Sequence, residues 1–257
     1  MSGKRYVNTS LARALRILDL FGDEPREFTL TELANRLDSR PGSIYAILCT
    51  LEDSGYLVRD PETRKYSLGL KLLAHSNAVL SSLDVRDVAK PGLKKLASSL
   101  EVNAHLAILY GTEVLYIDRR EFAPSVIIPS LIGRRVPAHC TSLGKVLLAY
   151  NPAVQEALLS ASELPAVTRW TITDPTMLKL ELEQICSQGY ALEKEEFHEG
   201  NICVGAPVFC HRKSVIAAIS VSLNKARLER TSINRFIDAV KEEANLISLS
   251  LGYSTGV

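Results

Sequence analysis

Residues 29–69 constrain the fold more than any other part of the chain, because they read as two short helices followed by a tight hairpin. Thr29 and Glu32 have the spacing of a capping box, in which each side chain satisfies a free amide at a helix start. Pro41 suits the first turn of the second helix, where its missing N–H costs nothing. The apolar stripes of the two helices are Leu30, Leu33, Ala34 and Leu37, followed by Ile44, Ile47, Leu48 and Leu51. This layout predicts a winged helix-turn-helix, a module that places one helix in the major groove of DNA.

The second helix and the hairpin of this module carry the candidate DNA contacts. Opposite its apolar stripe, the helix presents short or flat residues, which allow a close approach to base edges. Residues 60–63 form a turn between strands at 56–58 and 65–67, and basic residues cluster there, where phosphates would lie. We expect Arg40 and Tyr45 to discriminate sequence and the hairpin to hold phosphates. The predicted DNA-binding residues are Arg40, Ser43, Tyr45, Arg59, Arg64 and Lys65.

The composition is that of an ordinary globular chain and argues against several classes of protein. The 257 residues suffice for two domains, and 46% of them are hydrophobic and 23% charged. The net charge is +1, and acidic and basic residues nearly balance over residues 1–67, so a winged helix used for dimerisation or protein contact is an alternative. No apolar run approaches a membrane span, and the N-terminus lacks a signal-peptide core. Five scattered cysteines suit a reducing compartment, so we expect a cytoplasmic protein without a membrane partner.

Motifs for metals, phosphate loops and nucleophiles are missing from the sequence. No spacing of His and Cys makes a four-ligand zinc pattern. Gly144-Lys145 resembles the end of a phosphate-binding loop, but Val146 stands where that loop needs Ser or Thr. No G-x-S-x-G signature marks a nucleophilic serine. We therefore expect no metal, no cofactor and no catalytic residue.

The rest of the chain predicts an α+β fold in two domains. A helix capped by Ser10 precedes the winged helix, and its inward stripe is predicted to be Leu11, Ala14, Leu15, Leu18 and Phe21. A helix over 68–82 connects the domains, so we expect a winged helix with its linker helix at 1–82 and a second domain at 83–257. Strands are predicted at 104–110, 113–118, 126–128, 190–195, 202–209 and 215–223, with helices beginning near Asp84, Thr141, Thr176 and Ser232. The second domain should thus be an antiparallel sheet with helices at its edges and faces.

Two of these strands have one face built from small residues. The small residues are Ala218, Ser220 and Ser222 on the last strand and Cys203, Gly205 and Pro207 on the strand before it. Because side chains alternate along a strand, each set shares one face. Such a face leaves volume that could hold a small polar ligand, although a solvent-exposed face or a tight helix contact would use the same residues.

A predicted helix start lies in the same half of the chain. Thr141 is expected to cap this helix and to leave the amides of Ser142, Leu143 and Gly144 available to a carboxylate or phosphate. Lys145 follows directly, where it either adds positive charge to the site or is solvated.

Residues 136–149 and 189–223 resemble the effector domain of the IclR family of transcriptional regulators. These segments read VPAHCTSLGKVLLA and GYALEKEEFHEGNICVGAPVFCHRKSVIAAISVSL, and with the winged helix the likeness covers nearly the whole length. The resemblance implies a GAF-like sensor domain, small carboxylate effectors and operator DNA as a partner. It also implies a homodimer formed through the DNA-binding domains, and often a homotetramer.

The resemblance implies effector-binding positions one by one. These positions are Ser125, Ile128, Ser142, Leu143, Glu193, Asn201, Cys203, Ser220 and Ser222. The chain departs from the family pattern where Ala46 stands in place of a common Arg or Lys, and where Arg40 and Pro41 are exchanged in order. Glu193 stands where a shorter carboxylate is common, which would reduce the pocket volume.

Three functions fit these observations. The first is a ligand-responsive DNA-binding transcriptional regulator, with repression of a catabolic operon as the expectation and activation as the alternative. The second is an enzyme whose catalytic residues lie in 83–257 beside a vestigial DNA-binding domain. The third is an architectural DNA-binding protein that responds to no effector.

Overall fold

The computed structural model describes residues 8–22, 27–81, 84–122, 132–228 and 231–254. It divides into two compact units, Met1–Ser82 and Leu83–Val257. The first unit contains α1 (Thr9–Asp19), α2 (Leu30–Arg36), α3 (Pro41–Asp53), β1 (Leu57–Arg59), β2 (Tyr66–Leu68) and α4 (Lys71–Ser81). The second contains α5 (Asp84–Leu100), β3 (Asn103–Tyr110), β4 (Glu113–Arg120), β5 (Arg135–Pro137), α6 (Ser142–Ala149), α7 (Pro152–Leu159), α8 (Pro175–Gln188), β6 (Ala191–Lys194), β7 (Asn201–Phe209), β8 (Val215–Asn224), α9 (Lys225–Leu228) and α10 (Ile233–Ser250).

The first unit has the predicted winged helix-turn-helix. The capping box is formed: Thr29 Oγ1 accepts from the Glu32 amide at 3.3 Å, and Glu32 Oε2 accepts from the Thr29 amide at 2.7 Å. Strands β1 and β2 pair antiparallel, with Val58 opposite Ser67. The apolar stripes of α2 and α3 meet in one core that also buries Phe28 and Tyr66, so the hairpin and the helices form a single packed module.

Helix α1 differs from its prediction in both its cap and its buried face. Asn8, rather than Ser10, caps the helix, because Asn8 Oδ1 accepts from the Leu11 amide at 3.1 Å. Leu11 and Leu15 are 59% and 55% exposed, whereas Ile17 is fully buried. The helical period identifies an apolar stripe here, but it alone cannot decide which of its residues face the core. Phe21, Ala14 and Leu18 of the predicted stripe pack in the core beside Ile17, whereas Leu11 and Leu15 stay at the surface.

The second unit is built on one six-stranded antiparallel sheet, as predicted. The strand order is β5-β4-β3-β8-β7-β6. Helices α5 and α10 pack on the sheet and on each other, where Lys95 and Glu243 form an ion pair. They cover the sheet face on which the alternation places Ile219, Val221 and Leu223, all of them buried. The opposite face receives α6, which packs on Ala218 and Ala107 in a second apolar core.

Two glycines bring α6 close to its neighbours. A β-carbon at Gly144 would lie 2.1 Å from the Ala138 carbonyl oxygen, and one at Gly205 would lie 3.0 Å from the Ser142 carbonyl carbon. Ala138 belongs to a short 3₁₀ turn, Ala138–Cys140, immediately before α6. The small residue at position 205 is therefore explained in part by a tight helix contact, which was one of the alternatives at the sequence level.

Several predicted boundaries change in the structure. Strand β5 was not predicted, because its three residues are too short to show an alternation. Strand β6 ends at Lys194 because Glu195 adopts a left-handed φ of 64°, so the predicted strand over 190–195 was too long. The strand predicted at 126–128 lies outside the described residues. Within the described ranges, no helix combines the length and apolarity needed to cross a bilayer.

Candidate ligand cavity and nucleic-acid interface

A polar cavity lies where the start of α6 faces strands β3, β4, β6, β7 and β8. Its lining residues are His105, Tyr116, Thr141, Ser142, Glu193, Phe197, Asn201, Cys203, Ser220 and Ser222. The space free of protein atoms is about 340 Å³, part of it open to solvent. The centre of a water molecule can occupy only about 20 Å³ of this space, so the cavity as it stands has room for water or a very small polar ligand.

The sheet register sets the floor of the cavity. Glu193 lies opposite Cys203, which lies opposite Ser222 on the next strand. His105 on β3 lies opposite Ser220 on β8. Directly paired residues on one face of an antiparallel sheet have neighbouring side chains. The predicted small face of the two strands therefore becomes the polar floor of the cavity.

A chain of hydrogen bonds runs across this floor. Asn201 Nδ2 donates to Cys203 Sγ at 3.4 Å, and Cys203 Sγ lies 3.3 Å from Ser222 Oγ. Ser222 Oγ lies 3.2 Å from His105 Nε2. The chain ends there, since His105 Nδ1 is buried without a hydrogen-bond partner. The hydroxyl of Ser142 at the helix start is likewise buried and unpartnered. Buried polar atoms that lack partners are costly, and a bound ligand or water would satisfy both.

Burial dominates the proton equilibria of these floor residues. It lowers the pKa of His105 to about 3, with the positive charge of Arg119 acting in the same direction. It raises the pKa of the Cys203 thiol well above its ordinary value. Burial also raises the pKa of Glu193 to about 7, although hydrogen bonds from Cys203 and the Phe197 amide act against that rise. At neutral pH the imidazole and the thiol are therefore uncharged.

Lys145 supplies no free positive charge to the cavity. Its side chain is fully buried, and Nζ lies 2.6 Å from Glu181 Oε1 and 2.7 Å from Glu196 Oε1. Nζ also donates to the Leu192 carbonyl at 2.7 Å. Neither sequence alternative for this lysine was right, because its partners come from α8 and from the segment after β6. It acts as a buried tie between α6 and these elements.

The helix start offers fewer amides than the sequence predicted. Thr141 caps α6 as expected, but its Oγ1 accepts from the Gly144 amide at 3.0 Å, so that amide is already used. The amides of Ser142 and Leu143 precede it in the first turn. The side chain of Leu143 does not line the cavity, because it packs in the apolar core beneath α6. Any contribution of Leu143 to a ligand would have to come from its backbone.

Six of the nine predicted effector positions line the cavity, five of them on strands and one at the start of α6. The six that line the cavity are Ser142, Glu193, Asn201, Cys203, Ser220 and Ser222. Ser125 and Ile128 lie outside the described residues. Sequence reasoning missed four lining residues, which are His105, Tyr116, Thr141 and Phe197. The signal for His105 was present, because it is a polar residue inside an otherwise apolar strand.

The winged helix displays the predicted DNA-contacting residues on helix α3 and the hairpin. Arg40 and Tyr45 are exposed at the start and on the outer side of α3. The hydroxyl of Ser43 donates to the Arg40 carbonyl at 2.7 Å, so it stabilises the helix start. The Arg59 guanidinium lies 5.3 Å from the centre of the Tyr66 ring, and its Nε donates to the Arg64 carbonyl at 3.5 Å.

The hairpin turn gives its two basic residues different surroundings. Arg64 is exposed and has a left-handed φ of 60°, while Lys65 is half-buried. Asp60 Oδ1 accepts from the amides of Glu62 and Thr63 at 2.9 and 2.6 Å, which fixes the turn. The Arg64 side chain is therefore presented from a defined backbone.

A winged helix followed by a separate α+β unit with a polar cavity defines a DNA-binding transcriptional regulator. The chain belongs to the IclR family of such regulators. Residues 10–61 match the IclR helix-turn-helix domain, and residues 77–249 match the C-terminal domain of bacterial IclR transcriptional regulators. The family and the fold class predicted from the sequence are thereby confirmed.

Three relatives show the extent of the similarity. The HTH-type transcriptional regulator XynR of Escherichia coli (strain K12) is 36% identical over 245 residues, covering 95% of this chain and 97% of XynR. The crystal structure of Thermotoga maritima IclR has a TM-score of 0.76 at 32% identity, covering 95% of this chain and 99% of that one. An IclR homologue from Microbacterium hydrocarbonoxydans, complexed with 4-hydroxybenzoate, has a TM-score of 0.83 at 26% identity, covering 96% of this chain and 100% of that one.

Proposed function

We propose that this protein is a ligand-responsive repressor of a catabolic operon, released or retained on its operator by a small carboxylate. In this proposal residues 1–82 bind DNA and residues 83–257 bind the effector, within the cytoplasm. The observation that carries it is the cavity, in which His105 Nδ1 and Ser142 Oγ are buried without partners. A site kept polar at that cost is expected to hold a polar molecule.

A carboxylate fits the donors around the cavity. The amides of Ser142 and Leu143 lie in the first turn of α6, where unpaired N–H groups and the helix dipole favour an anion. The hydroxyls of Ser220 and Ser222 lie across from that helix start on the sheet. Support for this class of ligand also comes from the Microbacterium homologue, whose bound 4-hydroxybenzoate carries a carboxyl group.

Exposed leucines of the first unit support dimer formation. Leu11 and Leu15 are exposed on α1, and Leu70 and Leu73 are 79% and 64% exposed at the start of α4. Large exposed apolar side chains are candidates for sites of protein association. We infer a homodimer through these residues, and with it an operator that has matching two-fold symmetry.

The chemistry of the cavity argues against the enzyme alternative. Cys203, Ser222 and His105 are connected in the manner of a nucleophile and its base. However, burial raises the pKa of the Cys203 thiol and lowers that of His105 to about 3. An activated nucleophile needs the opposite shifts, a more acidic thiol and a base that accepts a proton near neutral pH. These three residues are better suited to binding than to covalent catalysis.

The experiment that tests the proposal combines a metabolite screen with operator binding. A thermal-shift screen of organic acids should identify an effector, since a ligand at 100 times its dissociation constant adds about 2.7 kcal/mol of stability. The Ser220→Ala, Ser222→Ala double variant should bind operator normally and lose the ligand response. Ser187→Ala, an exposed serine on α8, serves as the matched control.

Other outcomes of this experiment identify the alternatives. A screen without any shift would favour the architectural DNA-binding protein, and turnover of a screened acid would favour the enzyme. If the effector tightened operator binding and raised transcription, the protein would be an activator. If the double variant kept the full ligand response, the effector would bind at another site.

A further inference from the structure

The carboxyl group of Glu193 lies in the cavity wall without a cation of its own. The residue is 1% exposed, and Glu193 Oε1 accepts from the Phe197 amide at 3.1 Å. Hydrogen bonds from neutral donors stabilise a buried carboxylate less than an ion pair does. The carboxyl group of Glu193 therefore contributes directly to the charge balance of the cavity.

The titratable groups that face Glu193 from the surrounding elements compensate only in part for its burial, because Lys145 and Cys203 lower its pKa and yet leave it raised. They are Lys145 on α6, Cys140 in the 3₁₀ turn, Tyr116 on β4, His105 on β3, Cys203 on β7 and Glu196 in the following segment. Lys145 is the positive group among them, and it already lies within 2.7 Å of a carboxylate oxygen of both Glu181 and Glu196. An ammonium ion shared between Glu181 and Glu196 has little positive charge left to offer to Glu193.

A bound carboxylate would add another negative charge to this site. Glu193, Cys203 and Ser222 are directly paired across three neighbouring strands. Strands are about 4.8 Å apart, so the backbones at Glu193 and Ser222 are about 10 Å apart, and both side chains reach into the cavity between them. Two carboxylates in one low-dielectric site do not both stay ionised, because each raises the pKa of the other.

We propose that Glu193 is the charge-selecting residue of the cavity: as a carboxylic acid it donates a hydrogen bond to a bound carboxylate, and as a carboxylate it excludes one. Each bound anion is then accompanied by one proton, which passes from the solvent to a Glu193 carboxyl oxygen. The O–H bond formed on Glu193 replaces the bond broken in the hydronium ion or buffer acid that supplies the proton, and no other covalent bond changes. The inference rests on the proposed function, because it takes the effector to be a carboxylate.

The proton equilibrium of the empty cavity agrees with this role. Burial raises the pKa of Glu193 to about 7, so near neutral pH part of the population already carries the proton. Anion binding stabilises the protonated form further and completes the uptake. Effector affinity thereby becomes dependent on pH within the range found in cells.

The test uses formate and acetate as probes, because such small anions make few demands on the rest of the cavity. Calorimetry of the full-length protein should show binding about tenfold weaker at about pH 8 than at about pH 6. Both probes are ionised throughout this range, so the change belongs to the protein. Titrations in two buffers of different ionisation enthalpy should show the uptake of close to one proton at about pH 8.

Two variants separate Glu193 from other sources of pH dependence. Glu193→Gln keeps the size and a permanent N–H donor, and its affinity for formate should differ less than about twofold between the two pH values. Glu183→Gln, an exposed position on α8, is the matched control and should keep the tenfold dependence. The neutral probe acetamide should not weaken with rising pH in the native protein.

The outcomes distinguish this inference from the function on which it rests. Binding of formate that is independent of pH and takes up no proton would overturn the role of Glu193 and leave a carboxylate effector in place. If formate, acetate and 4-hydroxybenzoate bound neither to the native protein nor to Glu193→Gln at either pH, both the carboxylate effector and the role of Glu193 would be wrong. The buffer comparison on the native protein decides the question even if Glu193→Gln does not fold.

Discussion

Gly205 on the central sheet lies against the backbone of Ser142, so that a β-carbon at Gly205 would stand 3.0 Å from the Ser142 carbonyl carbon. This contact sets the distance between the start of α6 and the floor of the cavity. The two proposed sources of ligand donors are the helix start and the strand hydroxyls. They can lie this close because Gly205 has no side chain.

Substituting the glycines around α6 should separate a local effect on the cavity from a general loss of stability. We expect Gly205→Ala to displace the helix start slightly. The variant should bind ligand clearly more weakly while its melting temperature falls only a little. Gly144→Ala places a carbon 2.1 Å from a backbone oxygen, so it should cost on the order of 3 kcal/mol of unfolding free energy. Gly42→Ala, which meets no atom within 4 Å, is the control in urea denaturation.

The unfolding free energy of the protein should depend on pH because of Glu193. The folded-state pKa of this carboxyl is raised from 4.5 to about 7. Between these values the folded protein holds a proton that the unfolded chain has released, so stability falls as the pH rises through this window and levels off above it. The loss is about 3 kcal/mol. Urea denaturation of the native protein and Glu193→Gln across the window should show this difference, and parallel pH profiles would contradict it.

Dimerisation should depend on the exposed leucines of α1. The Leu11→Glu, Leu15→Glu double variant places charges on a surface that we infer to be buried between two copies. It should elute as a smaller species in gel filtration and lose affinity for a palindromic operator. Leu180→Glu, at a position 56% exposed on α8, is the control. Binding of a single asymmetric half-site by the native monomer would contradict both the dimer and the palindrome.

Arg64 and Arg40 should affect DNA binding in different ways. Arg64→Ala should weaken binding to all sequences alike and reduce the slope of log affinity against log salt by roughly one, because it removes one phosphate contact. Arg40→Ala should instead change the preferred bases. Arg212→Ala, an exposed arginine of the second unit, should do neither. The assignment is wrong if Arg64→Ala shifts base preference while the salt slope stays the same.

Effector and operator should influence each other's affinity by the same factor. A coupling free energy of about 1–3 kcal/mol corresponds to a change of roughly 5- to 150-fold in operator affinity. Thermodynamic linkage then requires operator DNA to change effector affinity equally. Calorimetry with and without operator measures this factor directly. Identical effector affinities in the two titrations would remove the allosteric part of the proposal, however tightly the ligand bound.

The features that were predictable from sequence are those that depend on neighbours along the chain. The capping box of Thr29 and Glu32 needs two residues three positions apart, and the polar face of β8 needs only the alternation of Ser220 and Ser222. Both were predicted. The fate of Lys145 was not, because its partners Glu181 and Glu196 lie 36 and 51 residues away. Sequence patterns report local periodicity, whereas a buried ion pair depends on which distant segments meet.

The exposed leucines of α1 illustrate a different limit. Leu11 and Leu15 belong to the same apolar stripe as Ala14, Leu18 and Phe21, which do pack in the core. Periodicity identifies an apolar face without saying whether it meets the chain's own core or the surface. The prediction was wrong only for these two residues, and they are the ones for which we infer a partner.

The buried ammonium group of Lys145 gives the second unit a mechanical property. It fastens α6 to Glu181 on α8, and to the Leu192 carbonyl and Glu196 on either side of Glu193. The backbone that carries Glu193 is thus clamped just before and just after it. Any displacement of this segment by a ligand would have to stretch or break the contacts of one ammonium group, which also joins it to α6 and α8.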